Sequence, residues 1–201
     1  MKKFILLPKW KNKYSLNFDG VNEYVKVNDN ANIDFEGTDT FSLSAWIRMI
    51  PGVAVQTFID KRGTIAAPNN KTNYVLFSDA SENLSFIIQN TDTNRLYIKN
   101  TTITFATNTW YHVISTYDGS RTASGVKLYI NNSSVAITTV TEALTSTSKS
   151  SGALGLGALS VGGTPGGYFN GNEDEISIWN KVLSVNEVNE IYNNGKPVNL
   201  K

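Results

Sequence analysis

The sequence predicts an all-β fold: a two-sheet antiparallel sandwich closed by one short C-terminal helix. Three observations carry this expectation. Short runs that alternate apolar and polar residues recur along the chain, as strands with one buried face require. Turn residues punctuate these runs at close intervals, giving about a dozen strand candidates, the spacing of a sandwich or barrel. Only one segment, near the C-terminus, has helical periodicity.

The strands follow in order. Tyr14, Leu16 and Phe18 alternate with Ser15 and Asn17, and Asp19-Gly20 turns the chain into Tyr24, Val25 and Val27. In the run 41–48, Phe41, Leu43, Ala45 and Ile47 share one face, with Ser42, Ser44, Trp46 and Arg48 on the other. Trp46 is therefore a large aromatic on a face that a sandwich turns away from its core. Further strands are expected at 55–60, 74–78, 84–89, 95–99, 110–117, 126–130, 135–140, 159–162 and 174–179. The stretch 141–157, rich in Ser, Thr and Gly, reads as a long surface loop or a weak edge strand. Ser184 and Glu187 form a capping box, Val185, Val188, Ile191 and Tyr192 follow at helical spacing, and Gly195 stops the helix.

Composition bounds the function. The 201 residues fit one large all-β domain. Charged residues make up 17%, below the globular average of about 25%, and Asn, Ser and Thr supply the surface polarity. That polarity suits neutral polar partners such as sugars. Net charge is +1, which gives no electrostatic basis for nucleic-acid binding. Five lysines (2, 3, 9, 11 and 13) precede any acidic residue, so residues 1–13 form a basic arm before a mildly acidic domain at 14–201. The arm is either a solvated terminus or an anchor onto a neighbouring subunit or an acidic surface. The apolar run Phe4–Leu7 is too short for a signal peptide's core of about 7–15 residues. No stretch approaches the roughly 18 apolar residues of a membrane span. With no cysteine, disulfides and thiol catalysis are excluded.

Five pieces of the chain resemble one family in order: Leu16-Asn17-Phe18-Asp19-Gly20 with Glu23-Tyr24-Val25; 41–47; Trp110-Tyr111-His112-Val113 with Tyr117-Asp118-Gly119; 127–131; and Phe169-Asn170-Gly171 leading to Asp174-Glu175-Ile176 and the helix. The set resembles the laminin-G-like jelly-roll domains of the concanavalin A-like superfamily, over residues 14–195. The resemblance implies a jelly-roll sandwich whose first and last strands are neighbours, which would bring Asp19 near Asp174. It allows calcium as a cofactor, with Asp19, Asn22 and Asp174 as oxygen ligands; the plain alternative is that Asp19 caps its own turn. It also allows a place on the surface of a tailed-phage virion, where the arm would contact other virion subunits or a second copy of the chain. The alternative location is extracellular or on a cell surface.

Catalysis is not expected. A glycosidase needs two carboxyls about 5–9.5 Å apart. The densest acidic run, Glu173-Asp174-Glu175, alternates faces on a strand, so only Glu173 and Glu175 could share one. The single histidine, His112, lies within a strand and reads as a packed strand residue. A saccharide site needs aromatic faces and polar side chains to bond hydroxyls. The candidates are Lys61 and Arg62 at an expected hairpin tip, Tyr74 at a strand start, Gln89, and Tyr168 with Asn170 beside the glycine-rich loop. The expectation is a non-catalytic binding or structural module on the surface of a tailed-phage virion (decoration or fibre-associated) with glycan-binding capacity, its function in the rim loops and the basic arm. The alternative is a secreted or cell-surface lectin-like carbohydrate-binding module.

Overall fold

The computed structural model describes residues 14–52, 54–63, 71–159 and 163–197. Its strands are β1 (Leu16–Asp19), β2 (Val25–Val27), β3 (Phe41–Met49), β4 (Gln56–Arg62), β5 (Thr72–Ser78), β6 (Leu84–Gln89), β7 (Arg95–Asn100), β8 (Trp110–Tyr117), β9 (Val126–Ile130), β10 (Ser133–Ser134), β11 (Ile137–Glu142), β12 (Leu154–Leu156) and β13 (Asn170–Trp179). One helix, α1 (Val185–Tyr192), follows them. The strands form two antiparallel sheets. The six-stranded sheet has the order β1-β13-β3-β8-β9-β10, and the seven-stranded sheet β11-β7-β6-β5-β4-β12-β2. The architecture is the expected jelly-roll sandwich.

The core follows from strand alternation. Phe41, Leu43, Ala45, Ile47 and Met49 of β3 point inward, against Tyr74 and Leu76 of β5 and Leu84, Phe86 and Ile88 of β6. Phe35 and Phe41 stack at 4.7 Å, and Phe58 meets Phe169 edge-on at 5.3 Å. Such pairs add about 0.5–1.5 kcal/mol each beyond the area they bury.

The helix covers the outer side of the six-stranded sheet. Ser184 accepts the backbone N–H of Glu187, whose carboxylate accepts the backbone N–H of Ser184 in return, completing the expected capping box. Asn193, in left-handed geometry, ends the helix two residues before Gly195. Val188 and Ile191 then pack on Ile114 and Tyr129, on the outer side of the six-stranded sheet. There Trp46, His112 and Tyr192 stack, with Trp46 4.9 Å from His112 and 5.7 Å from Tyr192. Trp46 thus faces away from the main core, as its alternation predicts, and is buried by the helix.

Two expectations on strands are corrected. Leu154–Leu156, inside the stretch read as a loop or weak edge strand, is an interior strand paired with both β4 and β2. A three-residue strand with a central glycine carries too little alternation to be recognised, yet Leu154 and Leu156 point into the core. The strand expected at 159–162 is a single bridge between Leu159 and Gly166, and residues 160–162 lie outside the described residues. The basic arm, residues 1–13, also lies outside them.

Candidate functional site

The six saccharide candidates separate into three places. Lys61 and Tyr74 are interior. They are register partners on β4 and β5 with side chains directed inward. Lys61, expected at a solvated hairpin tip, is 0% exposed. Its ammonium donates to Asp29 Oδ1 at 2.5 Å and to the carbonyls of Ser150 and Gly152 at 3.0 and 2.6 Å, and it pairs with Asp34 at 2.7 Å. A buried lysine must find such partners or lose its charge. Lys61 also holds the Asp29 carboxyl below the usual range by its hydrogen bond. Tyr74 lies against Phe35 and Phe41 and donates its hydroxyl to the Ile33 carbonyl at 3.1 Å. Burial pushes its phenol upward. Neither side chain is placed to meet a sugar.

Tyr168 and Asn170 sit at one end of the sandwich. Tyr168 packs on Ala153 and Ala158. The Asn170 backbone N–H donates to Gln56 Oε1 at 2.9 Å, and its carbonyl accepts from Ile50 at 2.8 Å. Arg62 lies at the opposite end of β4 from Gln56, about 20 Å away at 3.3 Å per residue. The candidates therefore do not form one site.

Arg62 and Gln89 do come together. Register places Arg62, Thr72, Gln89 and Arg95 in one row across β4, β5, β6 and β7. The next row is Asp60, Val75, Ile87 and Tyr97, and both rows lie on the outer face of the seven-stranded sheet. The Arg95 guanidinium lies 5.7 Å from the Tyr97 ring, and the Phe77 ring lies 6.0 Å from it. Arg62 pairs with Asp60 at 3.1 Å, and Gln89 donates to Asp92 at 3.2 Å. This face therefore holds an aromatic ring bordered by guanidinium and amide groups that ion pairs and hydrogen bonds hold in place. Tyr97 and Arg95 were missing from the expected site, although the alternation Arg95-Leu96-Tyr97-Ile98-Lys99 places both on the outward face.

A second outward aromatic is Trp110, 36% exposed, with Arg48 5.6 Å from its ring. Arg48 donates twice to Asn172 Oδ1, at 3.2 and 2.8 Å. This pair lies on the six-stranded sheet.

The expected calcium ligands do not converge. β1 and β13 are neighbours as the resemblance implies, but register sets Asp19 opposite Asn170. Asp174 lies four residues further along β13, about 13 Å away. Asp19 Oδ1 instead accepts the backbone N–H groups of Val21 and Asn22 at 2.8 and 3.2 Å, and the first of these bonds leads in lowering its pKa. These residues do not fit calcium as one donor set. No group of three or more His, Asp or Glu able to hold a metal occurs among the described residues.

The acidic run does not alternate as a regular strand. Glu173 points into the core between Leu16 and Ile47, whereas Glu175, at φ +45°, lies where the pairing with β3 slips. His112 is buried, and burial lowers its pKa to about 4, so it is neutral at pH 7. Among the described residues no helix is long and apolar enough to cross a membrane.

Known proteins share this architecture at low identity. The Ruminococcus gnavus IT-sialidase CBM40, also solved with α2,3-sialyllactose bound, is 13% identical over 85% of this chain and 96% of its own, with a TM-score of 0.59. The SAP-like pentraxin of Limulus polyphemus is 15% identical over 87% and 79%, with a TM-score of 0.59. Domain 4 of AbnA, an extracellular GH43 arabinanase from Geobacillus stearothermophilus solved with arabinotriose, is 18% identical over 88% and 75%, with a TM-score of 0.52. These likenesses establish the fold. No curated protein sequence matches the chain. The profile of a laminin-G family, described as the concanavalin A-like lectin/glucanases superfamily, matches residues 19–189. With that match across most of its length and a two-sheet sandwich to go with it, the chain belongs to this laminin-G family of the concanavalin A-like superfamily.

Proposed function

We propose that the chain is a non-catalytic carbohydrate-binding module that takes a saccharide across the outer face of its seven-stranded sheet. The observation that carries this reading is Tyr97 beside Arg95 and Phe77, with Gln89 and Arg62 in the adjoining row. An aromatic ring offers apolar area to a sugar face, while guanidinium and amide groups bond hydroxyls from fixed positions. The glycan partners of the CBM40 and of AbnA domain 4 accord with this class of ligand. A glycan array on the wild type and on Tyr97→Ala tests the reading. An aromatic hot spot is worth about 2 kcal/mol or more, so Tyr97→Ala weakens binding roughly 30-fold. A wild type that binds no glycan refutes the function. Binding that survives Tyr97→Ala and is lost in Trp110→Ala moves the site to the other sheet.

A second reading rests on the five lysines in residues 1–13. They would anchor the module to an assembly such as a phage particle, leaving the sheet face outward. Mass spectrometry of purified particles tests this, and absence from them ends it.

A further inference from the structure

The Lys61 ammonium sits in a cage of oxygens. Four oxygens lie 2.5–3.0 Å from its Nζ: Asp29 Oδ1, Asp34 Oδ1 and the carbonyls of Ser150 and Gly152. They come from two chain segments far apart in sequence, one before β3 and one before β12. An ammonium has three N–H groups, and these serve Asp29, Ser150 and Gly152. The fourth oxygen, Asp34 Oδ1, receives no hydrogen bond although its side chain is only 9% exposed. That oxygen is held by the charge of the ammonium 2.7 Å away and not by a directed N–H. A spherical cation, which has no fixed number of protons to offer, would serve all four oxygens equally. Carboxylates and carbonyls are hard oxygens of the kind calcium takes at 2.3–2.6 Å, and these four would leave water to complete its six to eight ligands. With Lys61 in place the two carboxylates leave the cage one negative charge in excess. Without it the excess is two, the complement of a divalent ion.

We propose that this end of the sandwich is a cation cage whose ion is the Lys61 ammonium, and that vacating the ammonium turns the cage into a calcium site. The lysine ties the 29–34 segment and the 150–152 segment to β4 without a dissociable metal. The cage borders Arg62: a Cβ on Gly152 would lie 1.6 Å from the Arg62 carbonyl, so the two backbones are in direct contact there. Its test uses no saccharide, so it stands or falls apart from the function proposed above.

The experiment compares wild type and Lys61→Ala in EDTA, CaCl2 and MgCl2, by thermal melting and by calorimetric titration with CaCl2. In EDTA, Lys61→Ala melts roughly 10 °C below wild type, because one partner of a buried ion network is gone. Calcium binds the variant at one ion per chain and restores at least half of that loss. Magnesium restores less, because it demands shorter, near-octahedral bonds. Adding Asp34→Asn to the variant abolishes the calcium response. If Lys61→Ala is unfolded in EDTA, calcium is expected to fold it, as read by far-UV circular dichroism. A folded variant with no calcium heat and no change in Tm overturns the proposal, as does a variant unfolded with and without calcium. An equal calcium response in the wild type also overturns it, because the ion would then bind elsewhere.

Discussion

Glu173 is a carboxylic acid inside the core with neither oxygen hydrogen-bonded. It stands on β13 between Leu16 and Ile47, is 0% exposed, and burial raises its pKa well above the ordinary value of 4.5. An acid whose folded pKa is raised contributes stability that is fully present below its unfolded pKa. That stability is lost as pH rises above about 4.5, because the unfolded chain releases the proton first. Each pH unit in that window costs about 1.4 kcal/mol until the folded group itself ionises. Two substitutions separate the charge from the polarity. Glu173→Gln cannot ionise, so it removes the slope but leaves an unsatisfied amide. Glu173→Met removes both and recovers a further 1–3 kcal/mol or so of desolvation. The assay is Tm from pH 5 to 7 for all three proteins. Between pH 5 and 6 the wild type loses roughly 3–6 °C relative to either variant, and Glu173→Met is the most stable at pH 7. Parallel pH curves, or a Met variant less stable than wild type at pH 7, refute the reasoning.

His112 acts in the opposite direction. Its folded pKa of about 4 lies below the ordinary value of 6.5, so stability present above pH 6.5 is lost as pH falls toward 4. The loss reaches about 3 kcal/mol, and urea titrations of wild type and His112→Phe at pH 4.5 and 7 measure it. Trp46→Ala removes the middle of the stack under α1 and costs about 3–5 kcal/mol, with loss of near-UV circular dichroism. Ser184→Ala breaks the capping box and costs about 1 kcal/mol by chemical denaturation. Gly152→Ala sets a Cβ against the Arg62 carbonyl and lowers stability by about 1–3 kcal/mol, since backbone must move at the Lys61 cage.

The strands were legible where the chain repeats a local pattern. The run 41–48 alternates without a break because β3 is central and one of its faces is all core. The helix was legible because Ser184 and Glu187 are a local, reciprocal device. The outward row Arg95, Tyr97 and Lys99 follows from the same alternation and could have been recognised as a site. Lys61 could not. Pairing slips between Thr57 and Ile59, which turns Lys61 to the interior face, and its partners lie 27 to 91 residues away. A charged side chain in a hairpin-like sequence reads as solvated, and only the folded neighbours show otherwise. Asp19 and Asp174 illustrate the same limit: neighbouring strands were foreseeable, but a register offset of four residues parts the two carboxylates.

By itself, then, the sequence determined the class of fold, the face of each regular strand and the capped helix, because period and capping are short-range properties of the chain. Only the tertiary structure decided that α1 covers the outer side of the six-stranded sheet, that Arg62 and Gln89 share a row with Arg95 on the outer side of the seven-stranded sheet, and that Lys61 fills an internal cage. Those outcomes depend on register, bulges and contacts between segments far apart in sequence, and a one-residue slip in any of them sends a side chain to the opposite face.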